Sequence, residues 1–328
     1  MQFYHLLKPK QLIETAFEHA RKNAHIKRTR ASDIQHRKAK VINRMEYFAA
    51  YLDKQLDMMI KSVPRFDELH PFYQELLPET LEVGKVKRAV SQLVSVQKLI
   101  KKQVYLVRRN MHSPSTDAIA SSKRASAAFF GRVASMVESL GENIELLQQA
   151  NQMLKEVPDI KTDMPTVVLA GFPNTGKTTI LARLTGSKAK IAAYPFTTKS
   201  LQLGYFLHRY HEIQVMDTPG LLDREKEDYN NIEKKALAAL RNLANLLVFV
   251  VDPTPAAGYT LEEQHKLYEK VRARFTVPVM VVFNKCDLAK DDQIAQAQKV
   301  FGKDAMLEGQ GMSTTLKEEI ASKVGIKK

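Results

Sequence analysis

Five residues that suit a buried strand, Thr166–Ala170, run without a gap into Gly171-Phe172-Pro173-Asn174-Thr175-Gly176-Lys177-Thr178 and then into a helical stretch. The octet matches GxxxxGK[ST], and its setting between a strand and a helix leaves few folds open. Glycines let backbone N–H groups turn inward around phosphates, and the following helix aims its positive end at them. Lys177 is expected to reach the β- and γ-phosphates and the Thr178 hydroxyl to ligate Mg²⁺. Phe172, Pro173, Asn174, Thr175, Gly176 and Thr179 complete the expected cradle.

Further apolar runs after Pro165 alternate with helical stretches: Leu201–Leu207, Ile213–Asp217, Leu246–Asp252 and Val279–Asn284. Runs this apolar suit strands buried on both faces. The alternation predicts an α/β domain with a mostly parallel, doubly wound sheet.

A phosphate loop alone does not choose the base. That choice comes from Asn284-Lys285-Cys286-Asp287 at the end of the last strand, which resembles the NKxD motif of GTPases. A carboxylate at Asp287 accepts the N1–H and N2–H of guanine, a donor pair that adenine lacks. Lys285 is expected to pack its stem beside the base, with Asn284 tying loops together. Asp217-Thr218-Pro219-Gly220 resembles the DxxG switch, placing Asp217 near Mg²⁺ and the Gly220 N–H near the γ-phosphate. Tyr194-Pro195-Phe196-Thr197-Thr198 resembles the first switch of the Obg-related GTPases, which implies Thr198 as a second threonine ligand of Mg²⁺. Lys177, Thr198 and Gly220 are thus the expected catalytic set, and Thr178, Thr198 and Asp217 the expected metal set. By the spacing of such GTPases the last guanine loop falls at Ala305–Leu307, before Gly309-Gln310-Gly311. Ala305 and Met306 would offer backbone N–H groups there, without the usual serine.

Leu221-Leu222 follows the DTPG motif, where Ras-like enzymes place a water-orienting glutamine. An apolar side chain cannot orient water, so slow intrinsic hydrolysis is expected. In some GTPases that this chain resembles, an asparagine at the position of Asn174 helps hold K⁺ beside the phosphates; the resemblance implies the same ion here. An arginine or RNA on a large partner is the other source of the missing charge.

The first half reads differently. Met45, Phe48, Leu52, Leu56, Met59 and Ile60 recur at helical spacing, as do Val86, Val90, Leu93, Val96, Leu99 and Ile100. Phe129, Val133, Met136, Leu140, Ile144 and Leu147 form a third run. These predict about four long helices, broken at Pro64–Pro71, at Pro78–Gly84 and through Met111–Ser122, with a linker over Met153–Pro165. The expected domains are therefore an all-α bundle over residues 1–160 and a P-loop GTPase domain over 161–328.

Net charge is +14, and the first 45 residues hold eleven Lys or Arg against three acids. Basic runs lie at Arg21-Lys22, Lys27-Arg28-Thr29-Arg30 and Arg37-Lys38-Ala39-Lys40, with a second cluster over Lys98–Arg109. With few interleaved aromatics, this pattern suits phosphate contact on folded RNA better than base stacking; a solvated helical face is the alternative. The lone cysteine, Cys286, permits no internal disulfide, no run of about 18 apolar residues marks a membrane span, and the N-terminus carries no secretory pattern. A cytoplasmic protein is expected.

Longer stretches resemble the nucleolar GTP-binding protein family of the Obg-related GTPases, in a short archaeal-type form. They are PFTTKSLQLGYF (195–206), DTPGLLDREKEDYNNIEKKALAAL (217–240), FVVDPT (249–254), GYTLEEQ (258–264) and NKCD. In the helical half, residues 44–77 and KRASAAFFGRV (123–133) continue the likeness. The resemblance implies GTP/GDP and Mg²⁺ as ligands and assistance in assembly of the large ribosomal subunit, with the bundle on ribosomal RNA. Subunit precursors are the expected partners, with ribosomal proteins as further candidates, no membrane partner and a free monomer; a ribosome-associated place in the cytoplasm is expected, or the nucleolus in a eukaryotic cell. Two other functions stay open on the residues alone: an RNA-binding scaffold using GTP as a structural ligand, and a GTPase acting at a membrane or on a protein.

Overall fold

The computed structural model describes residues 6–24, 33–79, 81–111, 118–157, 160–186, 190–193, 200–222, 231–308 and 313–326. The chain divides into two compact units, one over Met1–Arg65 and Leu81–Lys155, the other over Phe66–Thr80 and Glu156–Lys328.

The first unit is helical: α1 (Pro9–Asn23), α2 (Asp33–Lys61), α4 (Val83–Met111), α5 (Ala118–Glu138) and α6 (Gly141–Glu156), whose last residue already belongs to the second unit. Pro9 opens α1 at a position where its missing N–H costs nothing, and Arg21 and Lys22 lie in the last turn, where cations suit the helix dipole. Leu12, Ala16 and Ala20 bury one stripe of α1, and Met45, Phe48, Leu52, Leu56 and Met59 do the same for α2. Where these faces meet, Phe17 lies 4.6 Å from Phe48 and 5.1 Å from Phe130, ring centre to ring centre. Among the described residues five helices replace the four expected, because the run from Phe129 to Leu147 is two helices. Between the two, Ser139 donates its hydroxyl to the Met136 carbonyl at 2.8 Å, and Gly141 starts the next helix. Leu99, expected in the core, is exposed. The expected linker is helical as far as Glu156, and the expected break at Met111–Ser122 is narrower, since α5 is under way by Ala118.

In the second unit, β1 (Thr166–Ala170), β2 (Lys190–Ala193), β3 (Ser200–His208), β4 (His211–Asp217), β5 (Leu246–Val251), β6 (Val279–Phe283) and β7 (Met306–Leu307) form, among the described residues, one seven-stranded sheet. Its order is β2-β3-β4-β1-β5-β6-β7. The strands from β4 through β7 pair in parallel, and β2 and β3 add an antiparallel edge. Helices α7 (Lys177–Thr185), α8 (Asn231–Leu243), α9 (Leu261–Arg272), α10 (Asp291–Phe301) and α11 (Ser313–Lys323) cover it. Alternate residues of β1 enter separate cores: Val167 and Leu169 join Ile180, Leu184 and Leu316, while Val168 and Ala170 join Leu237, Leu267 and Ala297. That division is what a doubly wound sheet requires of a strand buried on both faces.

One segment of the first half belongs to this unit. The short helix α3 (Pro71–Leu76), flanked by 3-10 turns, packs on α8, and Tyr73 Oη both accepts from the Ile160 N–H at 3.1 Å and lies 3.3 Å from its carbonyl. Phe72, Tyr73 and Leu76 are buried. Division by packing therefore departs from the continuous boundary at residue 160, because α3 satisfies its apolar face on the α/β unit.

Candidate nucleotide site

Five chain segments leave the carboxyl ends of neighbouring parallel strands, the edge at which open α/β sheets bind ligands. They begin at Gly171 after β1, Asp217 at the end of β4, Asp252 after β5, Asn284 after β6 and Glu308 after β7.

The loop from Gly171 to Gly176 is shaped by residues in left-handed conformations, with φ of 136° at Gly171, 65° at Asn174 and 93° at Gly176. Gly176 caps α7, and a Cβ there would land on the Asn284 amide nitrogen. Lys177 is buried and donates from Nζ to the Gly171 and Phe172 carbonyls at 2.8 Å each. Thr175 closes the loop by donating from Oγ1 to the Phe172 carbonyl at 2.9 Å.

Thr178 donates from Oγ1 to Asp217 Oδ2 at 2.7 Å, and Asp217 is fully buried. A hydroxyl and a carboxylate brought side by side from two elements are hard oxygen donors, the kind Mg²⁺ takes along with water and phosphate oxygens. The residues present suit that ion. Thr198 lies outside the described residues, as does the segment Tyr194–Lys199 around it. Gly220 has φ of 81°, and Leu221 beyond it is buried.

The guanine loop is braced from two sides. Asn284 is buried and donates from Nδ2 to the Thr175 carbonyl at 2.9 Å, locking the loop to the phosphate cradle. Lys285 takes φ of 61° and donates from Nζ to the Asn174 carbonyl at 2.8 Å. The same ammonium pairs with Asp252 Oδ2. Leu288 N–H donates to the Lys285 carbonyl at 2.9 Å, closing a turn that leaves Asp287 exposed and able to meet a base.

Sequence reasoning assigned no role to Asp252, although it directly follows the buried strand β5 within the quoted FVVDPT stretch. It is fully buried, and its Oδ1 accepts from Thr254 N–H at 2.8 Å and Thr254 Oγ1 at 2.7 Å. Gln264 on α9 grips the same loop, accepting from Asp252 N–H and donating to the Asp252 and Tyr259 carbonyls. Tyr259 in turn stacks on Phe172 of the phosphate loop, with ring centres 4.0 Å apart at 17°. The signal for these partners was an acidic residue ending an apolar strand, too common to be read without the fold.

Ala305 and Met306 do not form the loop expected of them. Met306 pairs with Val282 in β7 and packs toward the α7 core, while Ala305 and Leu307 pack toward the opposite one. Strand pairing uses the segment up to Leu307, so a loop after the strand begins only at Glu308; residues 309–312 lie outside the described residues. Glu308 N–H donates to the Phe283 carbonyl at 2.7 Å, and its own carbonyl accepts from Cys286 N–H at 3.2 Å. Its carboxyl is fully buried, with neither oxygen hydrogen-bonded and Arg183 Nη1 at 3.9 Å. Burial pushes this carboxyl's pKa up, and Arg183 offsets part of that rise. Burial likewise raises the Cys286 thiol.

A doubly wound sheet with a phosphate loop after β1, a DxxG turn after β4 and an NKxD loop after β6 defines a P-loop GTPase. Residues 166–285 match the family model described as 50S ribosome-binding GTPase, and residues 4–161 match the NOG1 N-terminal helical domain. The chain belongs to the nucleolar GTP-binding protein 1 family. An uncharacterized protein of Methanocaldococcus jannaschii is 35% identical over 252 residues, 77% of this chain and 70% of that protein. Nucleolar GTP-binding protein 1 of Drosophila melanogaster is 30% identical over 261 residues, 78% of this chain and 39% of its own length. A solved nucleolar GTP-binding protein 1 from Plasmodium falciparum is 26% identical, covering 51% of this chain and 90% of that one with a TM-score of 0.44. The chain thus spans about two fifths of the length of the curated nucleolar GTP-binding proteins it matches. Among the described residues, no helix is long and apolar enough to cross a membrane.

Proposed function

We propose that this chain hydrolyses GTP as an assembly factor for the large ribosomal subunit, its helical unit held on ribosomal RNA and its hold controlled by the nucleotide. The observation carrying this reading is where the charge lies. The helical unit holds 26 Lys or Arg against 11 Asp or Glu, a net +15, whereas the α/β unit holds 24 against 25. A neutral nucleotide unit joined to a strongly basic one is suited to a switch attached to a polyanion. Arg37 and Lys40 on α2, and Lys98, Lys101, Lys102 and Arg109 on α4, are exposed. Lys27, Arg28 and Arg30 lie outside the described residues.

In this mechanism Lys177 exchanges its two carbonyl partners for phosphate oxygens, and Asn284 and Lys285 hold the guanine loop against the cradle. Thr178 and Asp217, joined by Thr198, would hold Mg²⁺, which supplies positive charge to the phosphates when bound. Leu221 is buried, so that position offers no group to orient the attacking water, and slow turnover follows. A K⁺ beside Asn174, or a charged group on the ribosomal particle, would supply what is missing. Equal GTP turnover in K⁺ and Na⁺ would remove the first of these.

Binding to large-subunit precursors that weakens steeply with salt, and that differs between GTP and GDP, tests the whole reading. Salt-insensitive binding, or binding blind to the nucleotide, refutes it. The buried Leu221 favours a second reading, in which GTP is a structural ligand of an RNA scaffold; multiple-turnover hydrolysis above background excludes that one.

A further inference from the structure

The strands β3 and β4 meet in a hairpin whose last pair is His208 with His211, leaving Arg209 and Tyr210 as a two-residue turn. Such turns need a positive φ, which Asn and Gly accept most readily. Here Arg209 takes it, at φ of 56°. Tyr210 is 97% exposed and Leu207 beside it 67%. Arg209 and His211 are exposed too, and neither they nor Tyr210 have a side-chain hydrogen bond or ion pair among the described residues. Arg209 thus holds a conformation that Asn or Gly takes more easily, and the turn leaves an aromatic ring and a guanidinium in water.

Charge at this tip is not a by-product of composition, because the α/β unit is close to neutral. Lys161 lies beside the hairpin, its Nζ 5.0 Å from the Tyr205 ring centre and 3.1 Å from Glu212, and Lys317 Nζ lies 5.8 Å from the Phe206 ring centre. Glu212 is thus occupied by Lys161, and Arg209 and His211 face solvent, with His208 half-buried beside them, none with an acidic partner among the described residues.

We infer that the Arg209–Tyr210 tip is an RNA contact of the α/β unit, with Tyr210 stacking on an unpaired base and Arg209 pairing with an adjacent phosphate. A flat ring and a planar cation at adjacent positions match a splayed base and its phosphate, and sequence-tolerant stacking needs no further groups. An apolar protein pocket would take Tyr210 and Leu207 but gain nothing from two histidines and an arginine. The tip lies at the opposite end of β4 from Asp217, about 20 Å along the strand, so it can engage RNA without occupying the nucleotide site. This inference rests on the proposed attachment to ribosomal RNA and adds a second point of contact outside the basic unit.

The test uses the full chain and in vitro transcribed large-subunit ribosomal RNA, with affinity measured across a range of salt. Tyr210→Ala should weaken binding about five- to a hundredfold without changing the salt slope, and Tyr210→Phe should restore it. Arg209→Gly should lower the salt slope by about one while leaving thermal stability equal or higher, since glycine takes the turn more easily. GTP turnover without RNA should stay the same in all three. If the unaltered chain shows no salt-sensitive RNA binding, the ribosomal reading and this inference fall together. If it binds but Tyr210→Ala binds equally well, this inference alone falls. Loss of binding to assembled particles without loss on bare RNA would assign the tip to a protein and also overturn it.

Discussion

Replacing Asp252 by Asn keeps the shape of the side chain and removes its charge. Asn Oδ1 can still accept from Thr254, but the amide NH₂ then faces the Lys285 ammonium, donor against donor. The lost interaction is a charge-assisted hydrogen bond to a fully buried carboxylate, worth about 1.5–3 kcal/mol. If the whole cost falls on the guanine loop, GDP affinity drops about ten- to a hundredfold. If it falls on the fold, the α/β unit of about 190 residues melts some 3–12 °C lower. Fluorescent GDP titration and thermal unfolding measure the two shares. A double-mutant cycle with Lys285→Met then isolates the pair, because Lys285 keeps its Asn174 contact in the single Asp252 variant. Should the two effects add to within about 0.5 kcal/mol, Asp252 does not act through Lys285 and the bracing argument is wrong.

Gly176→Ala places a Cβ on the Asn284 amide in a left-handed residue, so about 2–5 kcal/mol of destabilisation is expected in denaturant titration; a loss below about 1 kcal/mol would contradict the packing described. Glu308→Gln should stabilise the protein near neutral pH. The folded-state pKa of Glu308 is raised, so the native form holds the proton more tightly, and stability declines as pH rises from about 4.5 through the folded value. Unfolding midpoints that fall equally over that window in both proteins would show that Glu308 is not the group responsible. Asp287→Asn should weaken GTP relative to xanthosine triphosphate, since an accepting carboxylate is replaced by an amide that can donate. Unchanged base preference in competition binding would remove Asp287 from the guanine contact.

Each apolar run read as a strand is one: Thr166–Ala170 stands as read, β5 and β6 are one residue shorter, β3 is one residue longer at each end, and β4 starts two residues earlier. β2 and β7 were missed because Lys190–Ala193 and Met306–Leu307 are too short to show a period, and only their pairing partners define them. The same blindness misplaced the last guanine loop, since spacing counts residues and cannot see which of them a neighbouring strand has taken. Phosphate-loop and NKCD residues were legible because their chemistry demands fixed types at fixed intervals. Asp252, Gln264 and Tyr259 were not, because they act on the site through other residues, and any buried acceptor or ring at the right place in space would meet that need.

The placement of α3 has a consequence for anyone dissecting the molecule. The polypeptide passes from one unit to the other after Arg65, returns after Thr80 and passes again after Lys155. A truncation starting at residue 161 would look like a clean GTPase domain, yet it would strip Phe72, Tyr73 and Leu76 from α8 and leave an oily scar on its surface. The α/β unit is threaded through the helical one in sequence, and the covalent connection from α2 to α4 runs through a stretch of chain that is a native part of the nucleotide unit. Cutting at residue 160 therefore separates the chain but not the folded units, and an excised nucleotide unit needs residues 66–80 spliced back to remain whole.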